Sequence, residues 1–165
     1  SSAFHNESPI SCADTGERVP TYLIPLEVDD RERLFFWMRE YRRLDGVWLA
    51  SGDLENPAYE QTASPHSMLS QQGRELARKV EEAIGVPTYY FLTRYYGRSE
   101  GEEDRRCPGC SGEWRIENTP QRVPGYLNLD FRCERCRLIS YDAVEEDEQR
   151  AHIGEYDSSS NTDRP

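Results

Sequence analysis

A chain of 165 residues with 36% hydrophobic and 31% charged residues can build one medium domain, or a small domain beside a metal-stapled one. Its formal charge of −11 excludes a generic DNA coat, because long-range repulsion by phosphate opposes encounter. No run of residues approaches the ~20 apolar positions of a membrane span, so no membrane partner is expected.

Residues 1–18 are polar and read as an arm. Cys12 lies there without a basic neighbour, which suits a small buried side chain better than a nucleophile. Thr21 to Val28 is a strand candidate, confined to a sheet edge or an extended segment by Pro20 and Pro25. Asp29 and Asp30 favour a helix start, and Leu34, Trp37, Met38, Tyr41 and Leu44 recur at helical spacing. Asp45-Gly46 is expected to end that helix, and Val47 to Ala50 to form a short strand. Residues 54–63 suit one or two helical turns. Ser64-Pro65 then resembles a cap followed by proline at the first helical position. Leu69, Leu76, Val80, Ala83 and Ile84 form the buried stripe of a long helix. Gly73 falls on that stripe, so either another element packs close there or the glycine merely weakens the helix. Gly85 closes the helix and Pro87 prevents its continuation. Thr88 to Tyr96 is aromatic and β-prone, with Tyr89, Phe91, Thr93 and Tyr95 on one face. Together these elements describe a small α/β domain over residues 19–98, and Gly97 to Asp104 reads as a charged linker.

The C-terminal part carries the strongest chemical signal. Cys107 and Cys110 sit in Cys-Pro-Gly-Cys, and Cys133 and Cys136 in Cys-Glu-Arg-Cys. Each pair places two thiolates on one tight turn, and two turns complete a tetrahedral sulfur cage. Such a cage suits Zn²⁺ and closes all four coordination positions. A disulfide framework fits less well, since the cysteines number five and no apolar signal segment opens the chain. Iron–sulfur spacings are usually less symmetric, and a thioredoxin-like pair would open a helix. A reducing, cytoplasmic compartment is therefore expected.

Glu113 to Ile116 reads as the strand leaving the first cysteine turn, and Asn118 to Gly125, with two prolines, as a loop. Tyr126 to Arg132 alternates strictly, with Leu127, Leu129 and Phe131 inward. Leu138 to Tyr141 leaves the second turn. Two cysteine turns joined by antiparallel strands make a Cys₄ zinc ribbon over residues 104–142, too small to keep a core without its ion. Residues 143–165 are rich in acids and Ser and read as a disordered acidic tail. The expected fold class is thus α+β: a small α/β N-terminal domain with two main helices and a few strands, then the ribbon and the tail.

With the cysteine pairs placed, the chain resembles a family of uncharacterised bacterial zinc-ribbon proteins of the DUF2310 type. The resembling features are Val19-Pro20-Thr21-Tyr22-Leu23, the Trp37-containing helix, Gly85-Val86-Pro87-Thr88-Tyr89-Tyr90 and the two cysteine pairs, covering residues 10–142. The resemblance implies the fold and a nucleic-acid-binding role. Ribbon turns often carry Gly directly after the second Cys, whereas this chain has Ser111 and Arg137 there.

Three functional readings compete. In the first, the module binds single-stranded or structured nucleic acid through Trp114, Arg115, Arg132, Arg135 and Arg137, since Arg contacts phosphate and aromatics stack on unpaired bases. Those arginines equally offset the surplus negative charge of the thiolates, and Trp114 is as well suited to a ribbon core as to a stacking platform. In the second, the acidic surface makes the protein a protein-binding adaptor or inhibitor. The third, an enzyme, lacks any supporting motif: there is no HExxH, no phosphate-binding loop and no nucleophile elbow. His5, His66 and His152 are far apart in sequence. A non-catalytic protein with a structural Zn²⁺ and no small-molecule substrate is expected, with nucleic acid as the first ligand and protein as the alternative.

Overall fold

A computed structural model of the chain describes residues 8–50, 52–117, 129–144 and 146. Its fold is α+β, with three helices packed beside a three-stranded sheet. Helix α1 spans Val28–Leu49, α2 Glu55–Ala63 and α3 Met68–Ile84; the strands are β1 Tyr90–Phe91, β2 Phe131–Cys133 and β3 Leu138–Ser140. The expected disordered tail falls largely outside the described residues, as do the loop from Asn118 to Gly125 and Leu127.

The helical periodicity of α1 extends further than expected. Leu34 and Met38 are buried, and Trp37, Tyr41, Leu44 and Trp48 are half-buried along the same stripe. Trp48 falls about two turns beyond Tyr41, so the stripe carries the helix through Gly46. Val47 to Ala50 is therefore the end of α1 and not a strand. Gly46 lies on the solvent side, with nothing within 4 Å of where its Cβ would be. Packing overrides the weak helix propensity of one glycine.

The strand expected over Thr21 to Val28 is also absent. Thr21–Leu23 is a 3₁₀ turn, and Ile24 and Leu26 then drop extended into the core before Val28 opens α1. The prolines at 20 and 25 remove the donors that a ladder would need. Upstream, the presumed arm folds back on itself from residue 8. Ser11 bridges Arg18, Cys12 N–H donates to Glu17 O at 2.8 Å, and Ile10 and Val19 pack on the core.

Ser67, and not Ser64, caps α3: its Oγ accepts from Ser70 N–H at 3.1 Å. Ser64-Pro65 instead forms the turn between α2 and α3, where His66 N–H donates to Ser64 Oγ. Gly85 ends α3 in the left-handed region at φ 67°, the conformation glycine adopts without cost. The close approach at Gly73 is present. A Cβ there would lie 2.3 Å from Tyr90 Cε2 and 2.7 Å from Trp37 Cζ2. Ile84 is more exposed than its place on the stripe implied.

The sheet order is β1-β3-β2, with β1 parallel and β2 antiparallel to β3. Tyr90 pairs with Leu138, and Phe131 with Ser140. The sheet thus takes strands from both sides of the segment expected as a charged linker. That segment is not free: Glu102 is buried and bound at both ends of its carboxylate. Arg94 Nη2 donates to its Oε2 at 2.9 Å, and Ala143 N–H to its Oε1 at 3.2 Å. The chain stays packed through Val144, whose N–H donates to Tyr95 O. Inward residues of the β1 segment are Tyr90 and Leu92, leaving Phe91 to stack on Tyr141 at 5.4 Å.

Two cores result. One joins Ile24, Leu26, Leu34, Leu76 and Val80 between the entry segment, α1 and α3. The other joins Tyr59 and Ala63 of α2, Tyr90 and Leu92, and Cys107, Trp114, Phe131, Cys133 and Leu138. Trp37 touches both.

Candidate metal centre

Each cysteine pair is held by backbone geometry that its sequence can adopt only in a tight turn. In the first, Cys110 N–H and Ser111 N–H both donate to Cys107 O, and Cys107 N–H donates to Gly112 O at 2.9 Å. In the second, Cys136 N–H donates to Cys133 Sγ at 3.3 Å. Ser111 and Arg137, the residues directly after each second cysteine, both take left-handed backbone, at φ 57° and φ 53°. The two turns therefore share one geometry, and the glycine that usually relieves it is missing from both. Each non-glycine residue in that region costs about 1–2 kcal/mol, which something must offset. Gly109 is needed for space. A Cβ on it would sit 2.9 Å from Cys136 Sγ and 3.3 Å from Leu138 Cδ1.

The four Sγ atoms of Cys107, Cys110, Cys133 and Cys136 all lie within 4.8 Å of one another. A tetrahedron with metal–sulfur bonds of about 2.3 Å has edges of about 3.8 Å. Cys110 Sγ and Cys133 Sγ stand 3.7 Å apart, one such edge and far beyond a disulfide bond. Cys107 and Cys133 are buried, and Cys110 and Cys136 are half-buried. Left to themselves, Cys107, Cys110 and Cys136 do not ionise together. Burial, above all, pushes the Cys107 thiol far up and Cys136 up to about 11. Cys110 is instead held low, at about 7, first by the Gly112 backbone N–H and then by neighbouring thiols. A dication bound at the centre would supply the charge that four thiolates need. The donor set and spacing therefore fit a tetrahedral, sulfur-only metal site.

Beneath the cage, Phe131 is stacked on by Trp114 at 5.0 Å between ring centroids. The Arg105 guanidinium lies 4.3 Å from the Phe131 centroid, and Arg115 lies 4.9 Å from it. Trp114 Nε1 donates to Arg105 O at 2.8 Å, and the residue is 2% exposed. Trp114 is thus core and offers no face to a ligand. This corrects one of the candidate binding residues: the cysteine region is so thin that its largest apolar side chain is consumed in filling it. Arg105 is itself largely buried, which brings it down to about 10, still charged at neutral pH.

The other arginines of the region stand differently. Arg115 pairs with Asp142 at 2.6 Å, and Arg132 with exposed Glu134 at 2.9 Å. Arg137 joins Glu81 of α3 at 3.0 Å and Glu134 at 2.7 Å, and its guanidinium lies over Tyr89. Hydrogen bonding from Arg137 and Thr88 N–H, with Thr88 contributing most, holds the Glu81 carboxyl below its usual range. Arg135 is exposed at the tip of the second turn and has no ion pair among the described residues. The Arg137–Glu81 bridge was not legible in the sequence, because only the tertiary fold brings positions 81 and 137 together.

His66 is exposed in the α2–α3 turn, while His5 and His152 lie outside the described residues. Among the described residues no second group of metal-ligating side chains forms, and no helix is long and apolar enough to cross a membrane.

Comparison with known proteins adds family relationships. The model of DUF2310, a domain of unknown function, matches residues 1–93, and that of DUF8594, also a domain of unknown function, matches residues 97–144. Two curated proteins of Haemophilus influenzae, each named an uncharacterized protein, are similar to this chain. One is 30% identical over 135 residues, covering 81% of this chain and 64% of the relative. The other is 29% identical over 135 residues, covering 81% of this chain and 50% of the relative. The chain thus spans less than two thirds of the length of either. No solved structure matches.

Proposed function

The chain belongs to the DUF2310 family, and on that premise we propose that it is a non-catalytic binding protein built around a zinc-ribbon-like module. Cys107, Cys110, Cys133 and Cys136 hold one Zn²⁺, whose role is to fasten the two cysteine turns. The observation that carries this reading is the closure of the cage: four sulfurs within 4.8 Å of one another leave no coordination position for substrate. The ligand of the module is single-stranded or structured nucleic acid. Supporting this are Arg135, which is exposed without an ion pair among the described residues, and Arg132, whose pairing with exposed Glu134 is worth little in water. With Trp114 buried, such binding rests on phosphate contacts more than on stacking, so it should weaken steeply with salt.

Fluorescence anisotropy of the zinc-loaded protein with labelled oligonucleotides tests this. Arg132→Glu with Arg135→Glu is expected to abolish retention at low salt. No binding of single-stranded, duplex or structured RNA or DNA at low salt contradicts the nucleic-acid assignment, though not the structural role of the metal.

A second reading, a protein-binding adaptor, is favoured by one surface feature. Phe35 and Phe36 on α1 are 46% and 55% exposed, and Val28 at the start of the same helix is exposed as well. Large side chains left in water on a helix face suit a protein contact better than a phosphate contact. Pull-down from native lysate with and without nuclease separates the two: a partner retained after nuclease supports the adaptor.

A further inference from the structure

Three arginines line one groove that lies outside the strands of the cysteine region. A groove of about 370 Å³ runs between α3 and the second cysteine turn, lined by Arg74, Arg78, Glu75, Glu81 and Arg137 among others. Its carboxylates are already engaged. Glu75 pairs with Arg33 of α1 at 3.0 Å, and Glu81 is bound by Arg137 and by Thr88 N–H. Arg137 in turn is committed to Glu81 and Glu134. The guanidinium without a carboxylate partner among the described residues is that of Arg74, and Arg78 stands one helical turn, about 6 Å, further along α3. Arg74 has no carboxylate partner among the described residues; Nη2 reaches only Cys136 O, at 3.5 Å. Arg78 pairs with Glu82, but both side chains are more than half exposed, so the pair is weak in water. Four thiolates around a dication leave a local surplus of about two negative charges nearby. Arg137, and Arg135 beyond it, stand on that same turn and offset it.

From this geometry we infer that the groove between α3 and the second cysteine turn is a site for phosphoryl oxyanions, with Arg74 and Arg78 as the phosphate-contacting pair. Guanidinium groups offer planar, paired donors that match phosphate oxygens. The nucleic-acid component of this inference rests on the reading above: along an oligonucleotide, the two arginines would contact successive phosphodiesters while Arg135 and Arg132 extend the contact around the turn. The phosphate-binding component does not depend on it.

The test compares Arg74→Glu/Arg78→Glu with a control of equal charge change and equal helical spacing, Arg39→Glu/Arg43→Glu on α1. Arg74→Gln/Arg78→Gln serves if the reversed charges disturb folding, judged by zinc content and helical signal. In anisotropy with a single-stranded oligonucleotide, the α3 pair should weaken binding at least tenfold and reduce the log–log salt slope by about 1.4, from two contacts worth about 0.7 each. The α1 pair should change affinity less than twofold. Equal losses from both pairs overturn the inference and leave nucleic-acid binding standing as a diffuse charge effect. If the unaltered protein binds no oligonucleotide, the nucleic-acid reading fails and the groove is judged by inorganic tripolyphosphate. Saturable shifts of the Arg74 and Arg78 Nε–Hε resonances then support a site for a free phosphoanion, and their absence overturns it.

Discussion

The core between α1 and α3 and the core beneath the cysteine turns sit side by side and share Trp37, yet they are held by different means. In the first, Ile24, Leu26, Leu34, Leu76 and Val80 come from a long amphipathic helix pair and an extended segment, and burial of apolar area suffices. In the second, the strands are two or three residues long, and the cluster joins Tyr59, Tyr90, Leu92 and Leu138 to the Trp114–Phe131 pair and two cysteines. That core is the larger of the two among the described residues, but one edge of it is formed by the cysteine thiols, where a bound metal would fasten the two turns, and another is closed by a buried ion pair. Arg94 and Glu102 are each 2% exposed, and their pairing draws β1's extension, the 102–104 turn and Ala143 together. The contrast teaches that segments too short to pack by themselves can be drawn into one core by polar and thiol contacts at its edges.

Removing the metal is the largest perturbation that separates the two cores. Chelation, or Cys133→Ser, should abolish amide protection at Leu92 and across β2 and β3 while α1 and α3 retain theirs. Structural zinc sites contribute apparent binding free energies of roughly 10 kcal/mol or more, comparable to the whole stability of a small domain. Hydrogen exchange with mass spectrometry reads this directly, and simultaneous loss of both cores would mean they are one cooperative unit.

Next in size is the buried ion pair. Glu102→Ala leaves Arg94 and Arg105 without their carboxylate and should cost about 3–5 kcal/mol in urea unfolding. The same group predicts a pH effect. Burial alone would raise the Glu102 carboxyl, but hydrogen bonds and charge from Arg94, charge from Arg105 and the Ala143 N–H together hold it below its usual range. A depressed carboxylate contributes stability that is complete above its unfolded value, about 4.3, and is lost as pH falls below that through the folded value. The thermal midpoint should therefore fall in acid, and Glu102→Gln should flatten that fall.

Smaller effects probe the helical core. Gly73→Ala places a methyl 2.3 Å from the Tyr90 ring and against Trp37, a seam between both cores, and should destabilise by about 1–3 kcal/mol. Gly46→Ala, in the solvent-side interior of α1 with open space around it, should instead stabilise by roughly 0.5–1 kcal/mol. A destabilising Gly46→Ala would mean that α1 does not continue through that residue.

The sequence disclosed what depends on local spacing. The paired cysteines, the stripe of α3 and the closing Gly85 could each be read from a few neighbouring residues, while Gly73 left close packing and mere helix weakening open until the Tyr90 and Trp37 rings are seen against it. It failed where a local signal met a tertiary demand. Asp45-Gly46 reads as a helix stop, but Trp48 lies on the buried stripe and its packing carries the helix on. Thr21 to Val28 reads as a strand, but its prolines leave it without a ladder. The segment before Cys107 reads as a charged linker because nothing in the local sequence announces that Arg94 will bury Glu102. Trp114 was equally suited to core or platform, and only the thinness of the cysteine region decides for core. The pairing of Arg137 with Glu81, and the approach of Arg74 to Cys136 O, are likewise products of distant contacts.

X-ray absorption at the zinc edge on purified, reduced protein tests the central claim most directly. The account predicts one zinc per chain surrounded by four sulfurs at about 2.3 Å, with no oxygen or nitrogen ligand. Protein that purifies folded without a metal, or a zinc carrying a bound water beside three sulfurs, would contradict it.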